Sequence, residues 1–389
     1  MKETPRVICA GMHSVDLLLI NSDIPQTPES VVFFEKYTHV PGGCVYNTAK
    51  GFILLGVPVK VLTKVGNDEN GRFFIKELES LGIDTSDIKV DDSKSTCLSV
   101  LPVYYNGGRG AFSHLGTNTT IQVDDLLDDT LRRALENKNQ WEGNNSSHRP
   151  PPREDVPSYL IYHYGYPHMV TQVQGKVLAQ HFQSIRSLGI TVALDMNGAN
   201  SNDESIVHAA LEYVGIFHVN IEEAIVLSGK HLQHLQRNSS GNPQLPLEEK
   251  VNFQQVKGIA DYFHQLGVAL VAITLGPRGA FLSTHSNPSV IEKNIACFPC
   301  LSPGKAVFRP NFQAKGTINA VGAGDTFTAG ILAMLLRQAH SSSFLSLELL
   351  ADVGLAAAMQ RIDSGVEPKT LQKLVMQLDE MPRASVQSL

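Results

Sequence analysis

The chain has 389 residues, 42% of them apolar, and 32 lysines and arginines against 38 aspartates and glutamates, a net charge of −6. That composition belongs to a folded chain with a sizeable core, and its scattered acidic balance excludes a surface built to neutralise nucleic-acid phosphates. No apolar run approaches the ~18 residues of a membrane span, the start is interrupted too soon for a signal peptide, and five cysteines are a sparse, odd count that fits free thiols in a reducing, cytoplasmic compartment.

Strands are expected at 7–11, 59–65, 98–105, 159–164, 192–195, 216–219, 268–274 and 279–283. Several are unbroken apolar runs, as in strands covered on both faces. Residues 31–40 read as a further extended piece, and 98–105, Asn106-Gly107-Gly108 and 109–114 predict a β-hairpin. Helices fall between the strands; Val170, Val173, Val177, Phe182, Ile185 and Leu188 make a helical stripe that Gly189 can end. The alternation predicts an α/β fold, a mainly parallel sheet with helices on both faces. The β pieces outside the alternation predict a small separate layer. Three stretches, 137–158, 231–247 and 285–310, are rich in Pro, Ser and Asn and are expected to be loop insertions.

Five short runs carry candidate chemistry. In Ala320-Val321-Gly322-Ala323-Gly324-Asp325, small residues lead into an apolar helix. Backbone N–H groups there can converge on an anion while Asp325 accepts a proton from a hydroxyl; an acidic first turn favoured by the helix dipole gives the same pattern. Gly42, Gly43 and Asn47 open a second helix, either as a close approach to a ligand or as a plain glycine turn. Asn220 and Glu223 follow an apolar strand, with the spacing of a capping box and the position of a crevice ligand. Thr274, Gly276 and Gly279 form either a phosphate cradle or a hairpin turn, and Asp16, past the first strand, either binds hydroxyls or caps a loop.

Two patterns fail. Gly66 to Arg72 has P-loop spacing but Arg72-Phe73 where Lys-Ser/Thr is needed, and Cys297 and Cys300 lack the second ligand pair of a zinc site. The first strand–helix turn lacks G-x-G-x-x-G, which excludes a nicotinamide enzyme. His39, His114 and His163 are read as structural or surface residues.

Taken in order over nearly the whole chain, Asp16, Gly42-Gly43-x-x-x-Asn47, Gly66–Gly71, Asn220-x-x-Glu223, Thr274-Leu275-Gly276-x-x-Gly279 and Gly322-Ala323-Gly324-Asp325 resemble the ribokinase-like (PfkB) carbohydrate kinases. The resemblance implies a single kinase domain over 1–389. It is a three-layer α/β/α sandwich, with a β-sheet lid from segments near 16–42 and 96–118. It implies transfer of the γ-phosphoryl of ATP to an alcohol. By resemblance Asp325 is the general base and Gly322, Ala323 and Gly324 the anion hole. Asp16, Gly42, Gly43 and Asn47 bind the acceptor, Thr274, Gly276 and Gly279 the nucleotide phosphates. Asn220 and Glu223 organise hydrated Mg2+, Glu223 through water. Adenine is expected between the loop before Asn319 and the helix around 356–361. Lid-mediated homodimers occur in the family.

Two departures stand out. Asn319 replaces the Asp that helps bind a monovalent cation in potassium-activated members, so cation activation is expected to be weak. The strand 159–164 ends in Tyr162-His163-Tyr164-Gly165, without the sugar-binding Glu of ribokinases, which weighs against a ribose-specific site. Arg109 in the lid is either a contact for an acidic acceptor or a solvated hairpin charge. The acceptor is read as a sugar or sugar derivative. The alternatives are a nucleoside such as pseudouridine, for which Tyr46, Tyr104 and Tyr164 are candidate aromatic contacts, and a silent ligand-binding protein on the same fold. The intact Asp325 run opposes the last.

Overall fold

The computed structural model describes residues 5–27, 29–105, 110–144, 159–196, 198, 203–229, 246–295, 301–339 and 344–384. Its main sheet contains β1 (Val7–Gly11), β4 (Val59–Leu62), β9 (Ile161–Gly165), β10 (Thr191–Asp195), β11 (Ile216–Asn220), β12 (Leu270–Thr274), β13 (Gly279–Thr284) and β14 (Ala306–Pro310). The order is β14-β13-β12-β11-β10-β9-β1-β4. From β4 to β12 the pairs are parallel; β13 and β14 close the edge in antiparallel register.

Strand periodicity divides the core into two layers. Val7 and Cys9 face one, Ile8 and Ala10 the other. The first layer is covered by α1 (Gly43–Leu54), α2 (Glu69–Ser80), α10 (Ala323–Arg337), α11 (Leu347–Ile362) and α12 (Leu371–Gln377). The second lies under α3 (Asp129–Asn144), α4 (Lys176–Ser187), α5 (Glu204–Leu211), α6 (Ile221–Leu227) and α8 (Phe253–Gln265). α10 and α11 are buried along almost their whole length, which explains why they read as apolar all round rather than as stripes.

A second sheet holds β2 (Ser14–Ser22), β3 (Lys36–Gly42), β7 (Leu98–Tyr104) and β8 (Phe112–His114) in the order β3-β2-β7-β8. It is the lid read from the sequence. β2 leaves β1 after Gly11, and β3 runs directly into α1 at Gly43, so the lid is rooted at the carboxyl edge of the main sheet. The hairpin of β7 and β8 is antiparallel as expected; its turn, with Arg109, lies outside the described residues.

Several boundaries differ from expectation. The 59–65 run splits: β4 ends at Leu62, and β5 (Lys64–Gly66) pairs with β6 (Lys89–Asp91) in a two-stranded ribbon. The Val170–Leu188 stripe becomes helix only from Lys176, because Gly175 takes φ 55°; Val170 and Val173 are buried from turns instead. The 285–310 stretch is not one loop but carries α9 (Pro288–Asn294) and β14. Pro288 sits in the first turn of α9, where a proline is tolerated, and β14 pairs on one side only, so neither shows a strong apolar period. The first part of 137–158 continues α3 to Asn144. Residues 145–158, 231–245, Cys297 and Cys300 lie outside the described set. Among the described residues no helix is long and apolar enough to cross a membrane.

Candidate active site

The parallel strands end in a row: Gly11 stands opposite Gly165, Gly165 opposite Asp195, and Asn220 opposite Thr274. α10 meets this edge with its N-terminus. Gly322 caps it at φ 77°, a left-handed conformation that favours glycine. A Cβ on Gly322 would stand 3.4 Å from Asn47 Cγ and 3.6 Å from Arg361 Nε; one on Gly324 would stand 3.3 Å from His218 Cε1. The small residues keep this turn open to backbone approach. The Ala323 N–H is turned back onto the Ala320 carbonyl at 3.2 Å.

Asp325, in the first turn of α10, is 4% exposed. The Tyr166 hydroxyl donates to both its oxygens, at 3.0 and 2.9 Å, and Thr48 Oγ1 donates to Oδ1 at 3.5 Å. Burial, and then repulsion from Asp195, push the Asp325 pKa up to about 7; Tyr166, His218 and the Asn47 amide pull against that rise. A carboxylate poised there exchanges protons near neutrality, as a general base must.

Beneath it lies a largely buried polar group from four elements, β10, β11, β12 and α10. His218 Nδ1 is 3.1 Å from Asp195 Oδ1, Thr328 Oγ1 donates to Asp195 Oδ2 at 2.8 Å, and His218 Nε2 is 3.3 Å from Thr274 Oγ1. Burial works against an imidazolium at His218, but the carboxylates of Asp195, Glu223 and Asp325 together outweigh it and the pKa rises. Asn220 and Glu223 form a complete capping box: each side chain accepts the other's backbone N–H at 2.9 Å. The second Glu223 oxygen accepts the Gly198 N–H at 2.6 Å. Burial raises the Glu223 pKa despite those bonds.

On the lid side, Ser14 Oγ donates to Asp16 Oδ1 at 2.7 Å, and Asp16 lies directly over Gly42. Gly43 takes φ 78° hard against His13. Thr274 to Gly279 is the turn between antiparallel β12 and β13, closed by Leu275 N–H to the Gly279 carbonyl at 2.8 Å. Gly276 faces Glu248, not the centre of the site. Asn319 donates its N–H to the Ile362 carbonyl at 2.8 Å, and its side-chain oxygen accepts the Val321 N–H at 3.2 Å.

The family model for pfkB family carbohydrate kinases matches residues 5–139 and 136–365. This chain belongs to that family. The kinase is 24% identical over 304 residues to a 2-dehydro-3-deoxygluconokinase of Bacillus subtilis, covering 76% of this chain and 74% of that protein. It is 22% identical over 334 residues to a ribokinase of Staphylococcus aureus, covering 85% and 86%. Its fold is that of Arabidopsis thaliana ribokinase, solved with ribose and ATP, at TM-score 0.65 and 18% identity over 97% and 99% of the two chains. The kinase is accordingly a phosphotransferase with an alcohol acceptor.

In this kinase Asp325, Gly322, Asn47 and Thr274 come together through direct contacts or through His218. Asn220 and Glu223 share the same edge, and Asp16, Gly42 and Gly43 sit at the root of the lid. Among the described residues Gly276 lies against Glu248, Gly279 against Arg309 and Asn319 against Val321 and Ile362, away from Asp325. The sequence reading missed Tyr166, Asp195, His218 and Thr328. Asp195 had a signal: a carboxylate ending an apolar strand at the crevice edge. The three candidate tyrosines do not form one pocket. Tyr164 is fully buried against Phe182 in the layer under α4, Tyr46 packs near Phe74 in the opposite layer, and Tyr104 belongs to the lid.

Proposed function

We propose that this kinase transfers the γ-phosphoryl group of ATP to a hydroxyl of a sugar or sugar derivative, with Asp325 as general base. The observation that carries this reading is the buried Asp325 carboxylate, with a pKa near neutrality, in the first turn of a helix whose capping turn is open to an anion. The acceptor hydroxyl gives its proton to Asp325. Its oxygen attacks the γ-phosphorus while the bond to the bridging oxygen of ADP breaks. Charge developing on the transferred group meets the α10 dipole and the N–H groups of Gly322 and Gly324, joined by that of Ala323 once it leaves the Ala320 carbonyl. Asp16, Gly42, Gly43 and Asn47 hold the acceptor, and Thr274, Gly276 and Gly279 carry the nucleotide phosphates. We read residues 1–389 as one catalytic unit with 16–42 and 96–118 as its lid.

Mg2+ fits the Asn220–Glu223 corner as an outer-sphere ion. Both Glu223 oxygens already accept backbone N–H groups, which leaves lone pairs for metal-bound water, and the described residues contain no group of three or more ligands that would cage a metal. The ion supplies neutralisation of phosphate charge. Asn220→Ala therefore costs about 1 kcal/mol through the lost cap and raises the Mg2+ concentration needed for half-maximal turnover; a magnesium titration checks both against thermal unfolding. Asn319 has its oxygen engaged by the Val321 N–H, so exchanging sodium for potassium is expected to leave turnover essentially unchanged.

The separation of Tyr46, Tyr104 and Tyr164 favours a sugar over a nucleoside acceptor. The lid exposes Tyr37 and Phe112, with Val31 and Phe33 beside it, an apolar surface that supports a homodimer through the lid. Cys9, Cys44 and Cys97 are free thiols, which suits a cytoplasmic protein. The test is ADP release from ATP and Mg2+ across sugars, sugar acids, phosphosugars and nucleosides, with Asp325→Asn as control. Asp325-dependent turnover on a sugar derivative supports the reading; turnover confined to nucleosides replaces the acceptor class.

A further inference from the structure

Tyr166 is the residue whose backbone the fold constrains most visibly. It follows the last residue of β9 and takes φ 58° and ψ 54°, a left-handed region that residues with a side chain adopt only against strain. Asn21 alone shares a positive φ among the described non-glycine residues. The neighbouring structure enforces this turn. The Tyr166 N–H donates to the Asp195 carbonyl at 3.0 Å, and Gly165 has no Cβ because Cys44 Sγ occupies that space. The outcome is a ring turned back over the carboxyl edge, 8% exposed, with its hydroxyl bridging the two oxygens of Asp325.

We propose that Tyr166 is the positioning residue of the base: its phenol holds both Asp325 oxygens in the orientation from which the carboxylate takes the acceptor's proton. This rests on the reading of Asp325 as base. A carboxylate has about four lone-pair sites. The bridging phenol fixes the rotation of the carboxylate plane, Thr48 approaches Oδ1, and the remaining sites face outward for the acceptor. The phenol keeps its own proton throughout. Burial and the adjacent carboxylate hold its pKa well above the ordinary phenol value, so it donates a hydrogen bond without entering the proton transfer.

The bond also favours the ionised base, since hydrogen bonds to a charged acceptor are stronger than to its neutral acid. The groups that face Asp325 from the surrounding elements are Cys9 of β1, Cys44, Asn47 and Thr48 of α1, Asp195 of β10 and His218 of β11. Of these, Asp195 opposes ionisation, whereas His218 and Asn47 favour it. Tyr166 is the one that contacts both oxygens.

The experiment is a pH profile of turnover for the wild type, Tyr166→Phe and Asp325→Asn, with KM for ATP followed in parallel. Tyr166→Phe is expected to move the acidic limb up by about one pH unit. Turnover would then fall about fivefold more at pH 7 than at pH 9, where the loss that remains reads the lost orientation of the carboxylate, with KM for ATP unchanged. An unmoved limb overturns the proposal, whatever the loss in turnover, because a merely structural role lowers activity without shifting the base. Near-normal turnover of Asp325→Asn overturns the base reading itself and is seen separately. If the Phe variant does not fold, 3-fluorotyrosine at position 166 serves: its more acidic hydroxyl is a stronger donor, and the limb should move down instead. A limb that stays in place there also overturns the proposal.

Discussion

Asp325→Asn is expected to lower turnover by about a thousandfold or more while ATP still binds and the protein melts at a higher temperature. General-base catalysis contributes on the order of 10²–10⁴, and the amide can accept the Tyr166 hydrogen bond but not a proton. ATP affinity should persist because the capping turn at Gly322 is backbone and the substitution does not touch it. The gain in stability follows from the same burial that raises the Asp325 pKa. The folded protein resists ionising Asp325, whereas the unfolded chain ionises it at the usual carboxylate pH. Between the ordinary carboxylate range and about pH 7 the folded state thus binds the extra proton, and wild-type stability falls as pH rises. Above pH 7 the penalty is complete, and the Asn variant, which never incurs it, should gain most there. Below the carboxylate range the two proteins should melt alike. In turnover the sign is opposite: activity rises as pH climbs through about 7, because only the ionised base accepts a proton. Thermal melts at pH 4 and pH 8 with parallel rate measurements check both halves. Turnover above about a tenth of wild type would remove Asp325 from the chemistry.

The parts of this site that were legible in the sequence are those whose chemistry is local. A helix start crowded with small residues, a glycine pair, and an Asn-x-x-Glu cap are each complete within one turn of chain, and the structure builds them where the residues stand. The layers were legible for the same reason: unbroken apolar runs ending at Gly11, Asp195 and Thr274 mark strands buried on both faces. The hidden parts are assembled from distant chain segments. Asp195, His218 and Thr328 meet across β10, β11 and α10, and no spacing in the sequence encodes that meeting. Tyr166 depends on a left-handed backbone that tyrosine itself does not favour, forced by Asp195 and by Cys44 packing over Gly165. The edge pieces were misread for a different reason. α9 and β14 cover or extend a sheet margin, so half-exposed polar residues suffice, and composition alone makes them look like loop.

Gly42→Ala is expected to raise KM for the acceptor by about a hundredfold, the order of one or two hydrogen bonds to a charged group, and to leave KM for ATP and the fold intact. Gly42 itself is extended, at φ −144°, so alanine brings no backbone strain. Its methyl, however, would stand 2.1 Å from Asp16 Oδ2 and 2.7 Å from Ser14 Oγ. The cheapest relief is rotation of the Asp16 carboxylate away from the site, since it ends a flexible side chain, while the β2–β3 pairing that carries Ser14 opposite Gly42 stays fixed. Gly43→Ala is the contrasting control: at φ 78° its methyl would meet the backbone of His13 at 2.7 Å, where nothing flexible can yield, and the root of the lid should fail to form. If Gly42 acts only by leaving room for Asp16, then Asp16→Ala alone should match it and the double variant should be no worse than either, the non-additivity expected of residues that act as one unit. Additive losses would mean that the glycine contacts the acceptor with its own backbone. An unchanged acceptor KM in both single variants would take Asp16 out of acceptor binding and leave that role to Asn47.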